Sequence, residues 1–193
     1  MPRSFRRVVT GLCAVSLTVG ATGCSALPWD FRTLLASPEP LEVVPFVDLQ
    51  RYAGRWYEIA KYPAFFQGAN CVGATAEYAL RPDGNVDVVN RCYAGALDGP
   101  ERSVEAVARV VDPQTNAKLK VAFFGGLVEG DYWIIDLDPD YQWAVVGDPR
   151  RAFLWILSRT PSLDADVYAA IVARLPDKGY DPARLEPSVQ PSE

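Results

Sequence analysis

Side chains able to do nucleophilic or acid–base chemistry near neutral pH are few in this chain of 193 residues. There are four cysteines (Cys13, Cys24, Cys71 and Cys92) and no histidine. Without an imidazole there is no Ser-His-Asp triad, no Cys-His dyad, no His-ligated metal and no histidine proton shuttle. The cysteines could act as nucleophiles, acylation sites or cross-links, but no histidine is available to activate a thiolate. Modification and cross-linking are therefore the better expectations, and no cofactor or metal is implied.

Composition sets the frame for those residues. Apolar residues make up 49% and charged ones 22%, the balance of a single globular domain. The net charge is −5, from 19 basic against 24 acidic side chains. That disfavours nucleic acid as a partner. Arg3, Arg6 and Arg7 precede an uncharged stretch over 8–19, short for a bilayer span and of signal-peptide length. Ala21-Thr22-Gly23 then leads into Cys24, which resembles the lipobox of bacterial lipoproteins, with Ala21 standing where Leu is usual. The resemblance implies that Cys24 becomes the first mature residue and carries acyl chains, which together hold a protein stably on a membrane. Ser25 resembles the outer-membrane sorting choice, so the expected location is the outer membrane, facing the periplasm. The alternative is an ordinary cleaved signal. Removing residues 1–23 takes three arginines from 19 basic residues, leaving 16 against 24 acidic and a net charge of −8.

Residues 24–45, with Pro28, Pro38, Pro40 and Pro45, read as an anchor and tether. The domain is expected over 46–187, with 188–193 as a tail. Asp48 predicts an N-cap for a helical turn ended by Gly54. Eight short strands follow, over 56–62, 72–80, 86–93, 103–111, 118–124, 131–137, 142–147 and 153–159. Turn chemistry such as Pro82-Asp83-Gly84-Asn85 and Asp138-Pro139-Asp140 separates them. Alternation of Ala74, Ala76, Tyr78 and Leu80 against Thr75 and Glu77 argues an antiparallel meander. Eight such strands stack as a sandwich or close into a barrel able to hold one small ligand. A helix from Asp164 to Leu175 carries Val167, Ala170, Ile171 and Leu175 at helical spacing and must bury that face on the outside of the sheet. Residues 184–186 could add an edge strand.

Cys71 and Cys92 remain once Cys13 leaves with the signal and Cys24 is acylated. Two separate buried thiols are one reading. A bond between them is favoured by the exported, oxidising setting and by the hairpin at Asp83-Gly84, where a one-residue bulge would align them.

Three motifs then carry a resemblance. Gly54-Arg55-Trp56-Tyr57-Glu58, Asp140-Tyr141 before a strand, and Arg159 closing Leu154-Trp155-Ile156-Leu157-Ser158-Arg159 occur in the order found in lipocalins. Their flanking text is similar to the bacterial lipocalin group related to apolipoprotein D, over about residues 46–187. The resemblance implies an all-β fold, an eight-stranded antiparallel up-and-down barrel with one C-terminal helix outside. It also implies that Trp56 packs inside the closed end beneath the Arg159 guanidinium, making Gly54, Trp56, Asp140, Tyr141 and Arg159 fold residues. Positions expected inside by alternation are Ala74, Ala76, Tyr78, Val88, Asn90, Val104, Ala108, Leu119, Val121 and Phe123. Tyr62, Phe65, Phe66, Tyr93, Tyr132 and Trp143 are expected near the open end. The implied function is carriage of a small hydrophobic ligand, a fatty acid or lysophospholipid, by a monomer or homodimer. A cavity-cysteine isomerase and an empty barrel serving as an interaction module are the alternatives.

Overall fold

The computed structural model describes residues 39–192, apart from 65, 66, 68 and 69. The signal segment, Cys24 and most of the tether therefore lie outside the described residues. A helical turn, α1 (Leu49–Tyr52), is capped by the Asp48 carboxylate, which accepts from the backbone N–H of Gln50 and Arg51. Eight strands follow: β1 (Gly54–Lys61), β2 (Cys71–Leu80), β3 (Val86–Ala94), β4 (Glu101–Val110), β5 (Lys118–Phe123), β6 (Val128–Leu137), β7 (Trp143–Gly147) and β8 (Leu154–Ser158). Then come α2 (Ala165–Arg174) and a two-residue strand, β9 (Glu186–Pro187). Each of β1–β8 pairs antiparallel with its sequence neighbour, and β1 pairs with both β2 and β8. The sheet is therefore closed, an eight-stranded barrel with β9 added alongside β1. Closure removes the unpaired edges that an open meander would expose. β6 begins three residues earlier than its sequence pattern suggests, because Val128, Glu129 and Gly130 still find partners in Phe123, Ala122 and Val121.

Alternation sorts the apolar side chains into two cores. Trp56, Ala76, Tyr78, Val88, Leu119, Ala144, Val146 and Leu157 face the barrel axis. Ala60, Val145, Leu154 and Ile156 face outward and pack beneath Ile171 and Leu175 of the α2 segment, with Tyr62 and Tyr180. The helix is N-capped by Asp164 and held to β6 by an Arg174–Asp136 ion pair at 2.9 Å. The chain ahead of α1 also belongs to the fold. Leu41 is buried beside α2, and the Val44 N–H donates to the Ile134 carbonyl. The domain thus reaches beyond 46–187 at both ends, since Gln190 is also bound into the wall.

One end of the barrel is sealed. Trp56 is wholly buried and its indole N–H donates to the Tyr52 carbonyl at 2.8 Å. The Arg159 guanidinium lies 3.9 Å from the Trp56 ring centroid. It donates to the carbonyls of Arg55 (2.9 Å), Arg51 (2.6 Å), Tyr52 (3.2 Å) and Tyr141 (3.2 Å). Gly54 sits at φ +95°, and a Cβ there would meet Arg159 Nη1 at 3.4 Å. The positive φ favours glycine at the start of β1.

Hydrogen bonds to a charged donor contribute about 1.5 to 3 kcal/mol each, and partly buried acceptors left unbonded add a cost. Arg159→Ala is expected to lower unfolding free energy by about 3 kcal/mol or more, read from urea midpoints. Arg159→Lys should recover less than half, because an ammonium cannot reach carbonyls on α1, β1 and the β6–β7 turn together.

Candidate ligand-binding site

The floor of the barrel is built from three tyrosines. Tyr132 shares hydroxyl hydrogen bonds with Tyr52 at 2.8 Å and Tyr78 at 2.9 Å. Tyr52 also leans on Trp56, with ring centroids 4.9 Å apart. Burial pushes the phenol pKa of Tyr78 up to about 12 and raises those of Tyr52 and Tyr132 as well. Burial also lowers that of Arg159, against the opposing pull of the three phenols. Beneath the hydroxyls, a cavity of about 20 Å³ is lined by Leu49, Tyr52, Tyr78, Val86, Ala108, Leu119, Val121, Tyr132 and Ile134 among others. That is room for about one water. The closed end of the barrel is a packed core.

Toward the other end inward side chains begin to meet solvent. Cross-strand register places Trp56, Ala76, Asn90 and Val104 in one row, so all four face the axis. A second row joins Val88, Ala106, Phe123 and Val128. Ala74, Ala76, Val88 and Ala106 are buried, while Asn90, Val104, Phe123 and Trp155 are partly exposed although they point inward. Inward side chains that still meet solvent mark a hollow open at the mouth.

The structure divides the residues expected from the sequence. Ala76, Val88, Asn90 and Phe123 lie on the upper lumen wall, whereas Tyr78, Leu119 and Val121 line the closed-end void. Four placements are corrected. Tyr132 is not at the open end but in the floor. Tyr62 is buried outside the barrel, where its hydroxyl donates to the Asp181 carbonyl and Arg184 stacks on its ring. Trp143 also faces outward, beneath α2, with the Arg174 guanidinium 5.5 Å from its ring. Tyr93 falls on the outward phase of β3, one residue beyond inward Cys92, and its ring approaches Gly73. Phe65 and Phe66 lie outside the described residues. Among the fold residues, Asp140 is exposed in the β6–β7 turn. Tyr141 adopts φ +61° and its hydroxyl accepts the Asp48 N–H, tying that turn to α1.

At the mouth, the Cys71 and Cys92 sulfurs are in bonding contact, with Cα atoms 5.5 Å apart. The shift of β2 against β3 between Val72 and Thr75 produces that approach. Sequence reasoning missed a polar cluster nearby. Glu58 is buried and accepts from Lys61 Nζ at 3.1 Å, from Ser188 Oγ at 2.6 Å and from the Gln67 amide. The signal was present in part, because Glu58 shares the inward phase of Trp56. A register shift between Glu58 and Ala60 then puts Lys61 opposite inward Trp155. Among the described residues, no group of His, Cys, Asp and Glu could hold a metal ion.

A closed antiparallel calyx, sealed by Trp56 and Arg159 and hollow at the opposite mouth, defines the class of this protein. The chain belongs to the lipocalin family: the lipocalin-like domain model matches residues 47–190. It is 39% identical over 163 residues to temperature-induced lipocalin-1 of Arabidopsis thaliana, covering 81% of this chain and 86% of that protein. It is 36% identical over 183 residues to the outer membrane lipoprotein Blc of Vibrio cholerae, covering 94% and 96%. Among solved structures, insecticyanin from the tobacco hornworm superposes with a TM-score of 0.62 at 22% identity, over 79% of this chain and 85% of that one. That last likeness concerns the fold alone.

The raised phenol pKa values fix the sign of an alkaline dependence. The fold holds these protons more tightly than the unfolded chain, so stability is flat below about pH 10 and falls as pH rises toward the folded values. The expected slope is about 1.4 kcal/mol per pH unit for each such tyrosine. Urea unfolding from about pH 8 to about pH 11.5 measures it, and Tyr78→Phe should flatten the decline by one tyrosine's share.

Proposed function

We propose that this lipocalin is a lipid-anchored carrier that holds a single-chain amphiphile, a fatty acid or a lysophospholipid, in its upper lumen at the cell envelope. The carrying observation is that the inward side chains of Asn90, Val104, Phe123 and Trp155 are partly exposed above a floor with space for about one water. A ligand chain therefore lies between the mouth and the level of Val88, against alanine and valine walls, and does not reach Tyr132. Burying about fifteen methylenes at roughly 0.8 kcal/mol each gives a gross gain of about 12 kcal/mol. Immobilisation and chain ordering remove much of that gain, leaving micromolar binding. Asn90 and the Glu58–Lys61–Gln67 cluster supply polar partners for a headgroup, the usual complement of an apolar pocket.

Acylation at Cys24 and an outer-membrane location facing the periplasm are supported by the lipobox pattern and by Blc relatives whose names call them outer membrane lipoproteins. The contact between Cys71 and Cys92 supports a disulfide in that compartment. Such a bond would leave neither sulfur as a thiolate for isomerase chemistry.

The test is saturable quenching of tryptophan fluorescence by a fatty acid or lysophospholipid in delipidated protein. Val104→Trp, which fills the lumen from a partly exposed inward position, should weaken binding at least about tenfold, a shift of about 1.4 kcal/mol, without lowering the melting temperature. Absence of saturable quenching in the parent protein rejects carriage. Thiol titration of the unfolded protein should find neither Cys71 nor Cys92 free, and two free thiols there would restore the enzyme reading.

A further inference from the structure

Three features converge on the mouth of the barrel. The β5–β6 turn carries Phe124, Leu127 and Val128, exposed by 67%, 86% and 55%. No charged residue occurs between Lys120 and Glu129. Phe124 holds φ +52°, a conformation rare for an aromatic residue, and Gly125 and Gly126 continue it at +70° and +95°. A charge-free hairpin thus presents large apolar side chains to water. Isolated exposed hydrophobes need no explanation, but a contiguous group does.

The other two features concern direction. The first described residue, Glu39, lies at the same end, because its carbonyl accepts from Arg151 Nη2 in the β7–β8 turn at 2.7 Å. From there the chain runs to the Val44–Ile134 and Val47–Thr115 hydrogen bonds and then to α1 at the closed end. Fourteen residues lie between Cys24 and Glu39, a reach of at most about 50 Å, and the described chain begins at the mouth. The opposite end is dressed for water, since its turns carry Arg81, Asp83, Asp112, Asp138 and Asp140.

We infer that the β5–β6 hairpin is a membrane-docking tip: Phe124, Leu127 and Val128 enter the bilayer surface, so the barrel mouth faces the lipid that carries the Cys24 anchor. The partner is a lipid surface engaged by apolar insertion rather than by charge, because the tip has no basic residue. The arrangement lets a single-chain amphiphile pass between bilayer and lumen with little of its tail exposed to water. The inference rests on the reading of the chain as an envelope-anchored carrier.

The test uses the full-length protein reconstituted in phosphatidylethanolamine–phosphatidylglycerol vesicles. An environment-sensitive fluorophore is attached through Leu127→Cys or, at the closed end, Pro82→Cys. The expected result is a blue-shifted probe at 127, quenched by lipids brominated on their acyl chains, with the probe at 82 in water. Raising the salt concentration should not alter either reading, and adding Phe124→Asp should return the 127 probe to water while leaving the melting temperature unchanged. A probe at 127 that stays aqueous on vesicles overturns the inference, as does quenching at 82 equal to that at 127. Shielding of the 127 probe that disappears on dilution without lipid assigns the hairpin to a second copy of the chain and also overturns it. Fatty-acid quenching on the same protein reads carriage separately, so a docked barrel that binds nothing fails the carrier reading alone.

Discussion

The Arg159 guanidinium is the constraint on which this architecture depends. It caps an indole and at the same time binds carbonyls from α1, the start of β1 and the β6–β7 turn. The β6–β7 turn lies far along the chain from the adjoining α1 and β1, and the bonded carbonyls sit at the ends of elements, where the backbone lacks regular partners. A planar cation with five fixed donors can satisfy several of them at once, which no neutral side chain could. Closing a barrel requires that its first and last strands meet, and here they meet beneath this one side chain. Gly54 and Tyr141, both at positive φ, bring the backbone close enough for that contact.

A sealed floor also decides where a lumen can exist. Tyr52, Tyr78 and Tyr132 satisfy one another's hydroxyls, so their apolar rings can pack without stranding a polar atom. The closed end is then a conventional core, and solvent reaches inward side chains toward the mouth, at Asn90, Val104, Phe123 and Trp155. Stability and binding are thereby separated along the barrel axis. The Cys71–Cys92 contact and the Glu58 cluster secure the mouth by local links.

Much of this was legible in the sequence, for reasons that also explain the rest. The eight strands were readable because turn residues punctuate runs of strict alternation, as in Val104-Glu105-Ala106 on β4. Trp56 and Arg159 were readable only through the family resemblance, since nothing in their spacing brings a guanidinium onto an indole. Alternation gives the face of a residue but not its height along the barrel, which is why Tyr132 belongs to the floor. Tyr62 and Trp143 expose a second ambiguity. The outer wall under α2 is as apolar as the inner one, so hydrophobicity does not separate the two faces there. Glu58 and Lys61 illustrate a third, because the bulge between them shifts the phase that alternation assumes.

The two chain ends complete the same division. The segment from Leu41 to Val47 and the strand β9 both lie against the barrel, yet each bonds to a different part of it. The first crosses β6 and reaches the floor, whereas the second runs beside β1 where that strand has parted from β2. There the Val189 carbonyl accepts the Gly73 N–H, and the Gln190 amide bridges the carbonyls of Glu58 and Ala74. β1 and β2 pair directly only from Gly54 to Tyr57, next to the Trp56 seal. Above that point the wall is closed by the C-terminal segment. An eight-strand count therefore understates what encloses the hollow. The floor depends on one cation, and the upper wall depends on a few hydrogen bonds from a terminal strand that sequence alternation could place only at an edge.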